Sequence, residues 1–395
     1  MSAMKLKNGI YSVGVLNPAL RVFDIVMEAK YGTSYNAFLI TGEKNILIET
    51  VHADFFEEYI KNIEQVVPLD KIDALIMNHT EPDHSGSVAR LLKKCPKLTI
   101  YCTVAAKKYM EAIANESLPC HIIKPGEILD LGNNKELQFI PAPLLHWPDS
   151  MFTWYPAEKT LFTCDFLGTH YCEPTMLDTG IHDQKAYEEQ FAYYFKGIFR
   201  PFKPYVLKGL ALIDALPAEM ICPSHGPCLT KNIEQRKKLY RLWSTPKAPE
   251  KKLIFIPYVS AYGYTKKLAE AAAEALSSNP SLEVSMMDLV HADAFEVASK
   301  INSCQALLVG SDTINRDAPS VIWKALAMID AINTRKPAGA FGSFGWSGEA
   351  VPMIKARLEG LKFKFQGDGL RVNFMPTEED LLSMKNYALQ IVSSL

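Results

Sequence analysis

The chain is predicted to fold as two domains of different architecture: an α+β sandwich of mixed sheets over residues 1–249 and a doubly wound parallel α/β sheet over 250–395. Three observations carry this reading. In the first stretch, short β-rich runs are joined by hairpin turns. Beyond a proline-rich joint, apolar strands alternate with helices, the grammar of a parallel sheet. Several apolar runs in the first stretch stop abruptly at a histidine or carboxylate, where rigid strand ends can carry a site. At 395 residues the chain is long enough for each part to bury its own core.

The elements follow in order. The opening "MSAMKLKNGIYSVGV" runs directly into strand-like alternation, with neither the apolar core nor the cleavage site of a secretory signal. "FLITGEKNILIE" and "FTWYPAEKTLFT" each read as two strands around a four-residue turn. "LTIYCTV" and "ELQFIPAP" are further strands, and "LDKIDALIMNHT" and "EMICPSHGP" are apolar strands that end at a histidine. The aromatic run "QFAYYFKGIFRPF", 190–202, suits either a lid over a site or the core face of a helix. "IEQRKKLYRLWSTPKAPEKK" is a charged helix running into a joint at 244–250, where Pro246 and Pro249 rule out regular structure. Then come strand "KKLIFIPYVS", helix "YTKKLAEAAAEALSS", strands "LEVSMMDL", "QALLVGS" and "PAGAFGSFG", and helix "EAVPMIKARLEGL".

Composition excludes several classes. The 42 basic and 44 acidic residues leave a net charge of −2, so electrostatics do not favour nucleic acid or an anionic membrane. No apolar stretch approaches the roughly 20 residues that span a bilayer. The eight cysteines include no C-x-x-C pair, which argues against a rubredoxin-type or zinc-ribbon site and for buried thiols in a reducing compartment. A cytoplasmic protein is expected.

"NHTEPDHSG", 78–86, packs two histidines and two carboxylates into six residues. In an extended loop His79, Glu81 and Asp83 share one side and His84 points elsewhere, so one string could serve two adjacent ions. Three later segments have the same strand-then-ligand form: "PLLHWPDS" with His146, "LFTCDFLG" with Asp165 and "CPSHGP" with His225. One such histidine is ordinary structure; four segments of this form point to a metal centre.

This H-x-[HE]-x-D-H string, with its later His, Asp and His, resembles the metallo-β-lactamase fold, an αββα sandwich, over about residues 1–245. Zinc hydrolases of that fold normally carry histidine where this chain has Glu81. A carboxylate there makes the site harder and more anionic, which favours iron over zinc. That departure resembles the flavodiiron proteins. The resemblance implies two irons: His79, Glu81 and His146 on one, Asp83, His84 and His225 on the other, and Asp165 bridging. It also implies that Tyr194 donates a hydrogen bond to a bound intermediate.

In the second half, "VSAYGYTKKLAEAAAEAL" follows a strand and opens a helix, a place where backbone N–H groups can surround a phosphate. Neither a Walker nor a Rossmann glycine pattern is present, and a simple helix cap explains this turn equally well. "VGSDTINRDAPS" and "GSFGWSGEA" also follow strands, where open α/β sheets bind ligands. Together the three loops resemble flavodoxin, which binds FMN. The matching residues are Ser260, Tyr262, Gly263, Tyr264 and Thr265 on the phosphate side. Thr313, Asn315, Ser343, Phe344, Gly345 and Trp346 lie on the ring side. Flavodoxins often carry threonine where this chain has Tyr262.

Over both halves the resemblance implies reduction of dioxygen to water, of nitric oxide to nitrous oxide, or both. It implies electrons entering from an external donor, rubredoxin or a reduced deazaflavin, since the chain stops soon after the flavodoxin-like half. A head-to-tail homodimer, or a dimer of such dimers, is expected to bring one subunit's FMN to the other's irons. The competing reading is a zinc hydrolase of the same fold joined to a flavodoxin-like module; a third is a non-catalytic electron carrier.

Overall fold

The computed structural model describes residues 2–124, 126–246, 250–331 and 334–395. The chain divides into two compact units, Met1–Thr245 and Pro246–Leu395. The boundary expected between 249 and 250 adjoins residues 247–249, which lie outside the described residues.

The first unit holds two facing sheets. The seven-stranded sheet runs Met4–Lys7, Ile10–Ser12, Phe38–Ile40, Ile46–Ile48, Ala74–Ile76, Thr99–Cys102, Cys120–Ile122. The five-stranded sheet runs Ile128–Gly132, Lys135–Pro141, Met151–Tyr155, Thr160–Phe162, Met220–Cys222. Both expected hairpins form: Phe38 pairs with Ile48 and Thr153 with Phe162. Period-two alternation sorts the side chains. Phe38, Ile40, Ile46 and Ile48 pack with Leu137, Phe139, Met151 and Phe162 between the sheets. Leu39 and Leu47 join Tyr59, Ile63 and Leu91 of the flanking helices in a separate core. Sheets covered on both faces need the continuous apolar runs seen in the sequence.

Parallel pairing sets where the site is built. Ala74–Ile76 lies between Ile46–Ile48 and Thr99–Cys102, parallel to both, and its C-terminal end delivers the string from His79 to His84. In the other sheet Thr160–Phe162 runs parallel to Met220–Cys222, and their ends lead to Asp165 and His225. His146 lies in the connection between Lys135–Pro141 and Met151–Tyr155. The string itself is not extended throughout. Pro82–Ser85 forms a helical turn with Pro82 in its first turn and Glu81 at the N-cap, a position that suits proline. The bend separates Glu81 from Asp83 and His84, and it replaces the alternation expected for an extended loop.

The aromatic run is helical: Gln184–Tyr194 continues through a π-turn at Phe195–Phe199 and a 3₁₀ turn at Arg200–Phe202. Arg236 pins this helix. Its guanidinium is buried, stacks over Tyr187 and Phe191, and donates two hydrogen bonds to Glu188, at 2.6 and 2.7 Å. Glu188→Ala would leave that cation buried without its carboxylate. This is expected to destabilise the first unit by about 3 kcal/mol, seen as a lowered thermal unfolding midpoint.

In the second unit the sheet order is Leu282–Asp288, Lys252–Tyr258, Ala306–Gly310, Pro337–Phe344, with Lys364–Phe365 and Leu370–Asn373 both on the last of these. All its pairings are parallel. Tyr264–Ser277 and Glu378–Val392 pack on one face through Leu268, Leu276, Met384 and Ile391. Ala294–Ser303, Ser320–Ala327 and Ala350–Gly360 cover the other through Val297, Ile322 and Ile354. This is the doubly wound α/β sheet expected. Strand order reverses beside Lys252–Tyr258, which opens a crevice at the strand ends.

Candidate metal centre and cofactor cleft

The four ligand-bearing segments converge. His79, Glu81, His146 and Asp165 form one group and Asp83, His84 and His225 a second, with the donor atoms of each group within 4.8 Å of one another. His146 Nε2 lies 3.0 Å from Glu81 Oε2 and 3.1 Å from Asp165 Oδ2. His79 Nε2 is 3.5 Å from Asp165 Oδ1. In the second group, His84 Nε2 and His225 Nε2 lie 3.2 and 3.1 Å from Asp83 Oδ2 and 3.2 Å from each other. Asp165 Oδ1 is also 3.5 Å from His84 Nε2 and 3.8 Å from His225 Nε2, so this carboxylate touches both groups.

The arrangement fits cations. His79 Nε2, Asp165 Oδ1 and both carboxylate oxygens of Asp83 are buried without a hydrogen-bond partner, a costly state that a bound metal relieves. Burial alone would hold the imidazoles neutral. Carboxylates override it: Asp165 pushes His79 up, Asp83 pushes His84 well up, and Asp165 with Glu81 pushes His146 up to about 10. Burial would likewise raise the acids, but His84 holds Asp83 below the usual carboxylate range and His79 does the same for Asp165.

Further residues surround the centre, and of these only Tyr194 stands out in the sequence. His225 Nδ1 donates to the Ser34 carbonyl at 2.7 Å, which turns Nε2 toward Asp83. His170 is buried beside His225, ring centroids 4.8 Å apart, and its Nδ1 meets Thr33 Oγ1 at 2.9 Å. Asp24, at the tip of the Val22–Phe23/Met27–Glu28 hairpin, is raised to about 6 by burial and by Glu81. Tyr194 is buried, with its ring 4.9 Å from His170 and 6.3 Å from His225. Its hydroxyl has no hydrogen-bond partner, and burial, then Asp165, push it well up. Asp24 and His170 come from a hairpin tip and a loop with no pattern of their own, whereas Tyr194 ends the helix of the aromatic run.

The second unit has a cavity of about 340 Å³ at the strand ends. Tyr262, Tyr264, Thr313, Asn315, Ser343, Phe344, Gly345 and Trp346 line it. Trp346 is 89% and Tyr262 85% exposed, two flat rings left free at its rim. Ser260, Gly263 and Thr265 do not line it; they shape its wall. Ser260 Oγ accepts the Lys266 N–H at 3.1 Å, and Thr265 Oγ1 donates to Asp312 and accepts the Ser343 N–H at 3.1 Å. Gly263, at φ +82°, turns the chain into helix Tyr264–Ser277, a conformation costly for residues with a Cβ. An elongated ligand with a flat ring and an anionic end matches these rings and this helix N-terminus.

Residues 33–226 match the ODP family of β-lactamase-like proteins, and 256–384 match flavodoxin. The fold and its two sites thus define a β-lactamase-like domain followed by a flavodoxin domain. A flavo-diiron protein of Clostridium acetobutylicum is 49% identical over 96% of both chains. An anaerobic nitric oxide reductase flavorubredoxin of Vibrio vulnificus is 33% identical over 98% of this chain and 78% of its own. The solved rubredoxin oxygen:oxidoreductase of Desulfovibrio gigas superposes with a TM-score of 0.73 at 30% identity, over 100% of this chain and 98% of that one. This chain belongs to the flavodiiron protein family.

Proposed function

We propose that the protein reduces dioxygen to water, nitric oxide to nitrous oxide, or both, with electrons passing from an external donor through FMN to two irons. One observation carries this reading: Glu81 stands beside His79 and His146, where a zinc hydrolase would present a third imidazole. His79, Glu81 and His146 would hold one iron, Asp83, His84 and His225 the other, and Asp165 would bridge them. When bound, the irons supply one-electron chemistry at a gas-binding position, and FMN supplies the electrons. The chain's own residues fix the geometry. Ser34 turns His225, and Pro82 sets the bend that parts the two groups. The burial of His79, His84 and His225 keeps water from the reacting face. The Tyr194 hydroxyl, buried beside His225 and holding its proton tightly, would donate a hydrogen bond to a bound gas molecule.

Rubredoxin is the donor favoured here, as the Desulfovibrio gigas relative's name suggests, with a reduced deazaflavin as the alternative. A head-to-tail homodimer, alone or as a dimer of dimers, would pair one subunit's flavin with its partner's irons. No helix among the described residues is long and apolar enough to cross a membrane. With eight free cysteines, this supports a cytoplasmic setting.

Metal analysis with a visible spectrum tests the reading. About two irons per chain and a flavin band are expected, with consumption of dioxygen or nitric oxide on addition of reduced rubredoxin. Zinc without flavin would end it. In the cleft, Trp346→Ala is expected to weaken FMN binding about tenfold through lost ring stacking. Fluorescence titration of flavin-free protein measures this, and unchanged affinity would remove Trp346 from the ring site.

A further inference from the structure

We propose that Asn36 is a positioning residue of the metal centre: its side-chain amide and backbone N–H preform the loop 223–226 that presents His225. The proposal rests on the reading that His225 binds metal.

The loop leaves strand Met220–Cys222, and all four of its residues are buried. Each of its backbone carbonyls therefore needs a partner inside the protein. Three of the four find it in Asn36. Asn36 Nδ2 donates to the Pro223 carbonyl at 2.7 Å and to the Gly226 carbonyl at 2.8 Å. The Asn36 N–H donates to the Ser224 carbonyl at 2.9 Å. The fourth carbonyl, that of His225 itself, accepts the Thr169 N–H at 3.2 Å.

Asn36 follows strand Thr33–Tyr35 and is fully buried. Two residues earlier, Ser34 accepts the His225 Nδ1–H on its carbonyl at 2.7 Å and the Gly226 N–H on its hydroxyl at 2.8 Å. Residues 34–36 thus hold both the ring of this ligand and the backbone on either side of it. Asn36 Nδ2 gives its hydrogen bonds to the loop and the amide oxygen has no partner, so the side chain's hydrogen bonding serves this loop alone.

The loop has little freedom left. Gly226 is left-handed at φ +77°, and a Cβ there would lie 2.5 Å from the Thr169 carbonyl oxygen. The Ser224 N–H donates at 2.8 Å to the carbonyl of Cys164, the residue before Asp165. The Pro223 and Gly226 carbonyls both reach one nitrogen, and they would repel each other without the amide between them. Asn36 removes that repulsion in the protein alone, so a cation meets a His225 already in place and binding does not have to order the loop.

Ferrous affinity measured by chelator competition on the full chain tests this. Asn36→Ala removes both side-chain hydrogen bonds and keeps the backbone N–H to Ser224. One of the two irons is expected to bind 10- to 100-fold more weakly and the other with wild-type affinity. His225→Ala should lose that same iron, so the double variant should hold the remaining one as tightly as His225→Ala alone. If Asn36→Ala keeps wild-type affinity for both irons, or weakens both alike, while His225→Ala loses one, Asn36 serves only the fold and the proposal is overturned. If His225→Ala keeps both, the ligand reading itself fails. A second measurement needs no variant and decides the matter should Asn36→Ala not fold. In metal-free wild type with labelled asparagine, the Asn36 Nδ2 protons should exchange with water as slowly by NMR as they do in the zinc-loaded protein. Protection that appears only with metal means that the metal builds the loop, and the proposal is overturned.

Discussion

Asp165→Ala is expected to yield a folded protein that retains neither ion. Its carboxylate is the one group that reaches both clusters, with Oδ2 at 3.1 Å from His146 and Oδ1 at 3.5 Å from both His79 and His84. Without it, the two imidazoles of one group are left with Glu81 alone and the two of the other with Asp83 alone. Gas consumption should fall by more than about 100-fold, beyond what the loss of an outer partner costs. The fold should survive, because Asp165 lies in a loop after Thr160–Phe162 and the carboxylate removed pairs with the histidines of the two groups, while its backbone bond to Gly168 is kept. Iron analysis beside a circular dichroism melt checks both parts. An Asp165→Ala protein holding two irons would remove the residue from the centre.

Glu81→His is the second large effect. Three imidazoles suit zinc, whereas an anionic oxygen donor favours iron that must cycle through its ferric state. The substitution also removes the carboxylate 3.0 Å from His146. Purified from medium containing both metals, the variant should carry zinc in the group of His79 and His146 and show no reduction of dioxygen or nitric oxide. Retention of iron with full turnover would mean that Glu81 does not set metal identity.

Much of this was legible in the sequence because the chain marks rigid places plainly. Apolar runs ending at His79 and His225 became parallel strands delivering those side chains, and both hairpins with polar four-residue turns formed as read. The helical turn at Pro82–Ser85 was missed, since four residues are too short for periodicity to register. The helices Ala294–Ser303, Ser320–Ala327 and Glu378–Val392 were also missed, although Thr377 with Asp380 forms a capping box that marks the last of them. Ser260 and Thr265 hydrogen-bond within the cleft's own loops, as small hydroxyls serve a loop's backbone as readily as a ligand. His170 and Asp24 could not be found by spacing. They reach the centre through pairings between distant segments, which single-chain patterns do not encode.

The division of ligands between the two sheets has a thermodynamic consequence. The string 79–84 hangs from the seven-stranded sheet, while His146, Asp165 and His225 hang from the five-stranded one. Ions held as proposed would each act as a rivet through both leaves of the sandwich, and separating the leaves would require releasing metal first. Ligand linkage then sets the strength of the clasp: free metal at 100 times its dissociation constant adds about 2.7 kcal/mol to the folded state. Without metal the first unit is expected to exchange amide protons faster at the ligand edge, and the second unit, which has its own sheet and core, to exchange at an unchanged rate.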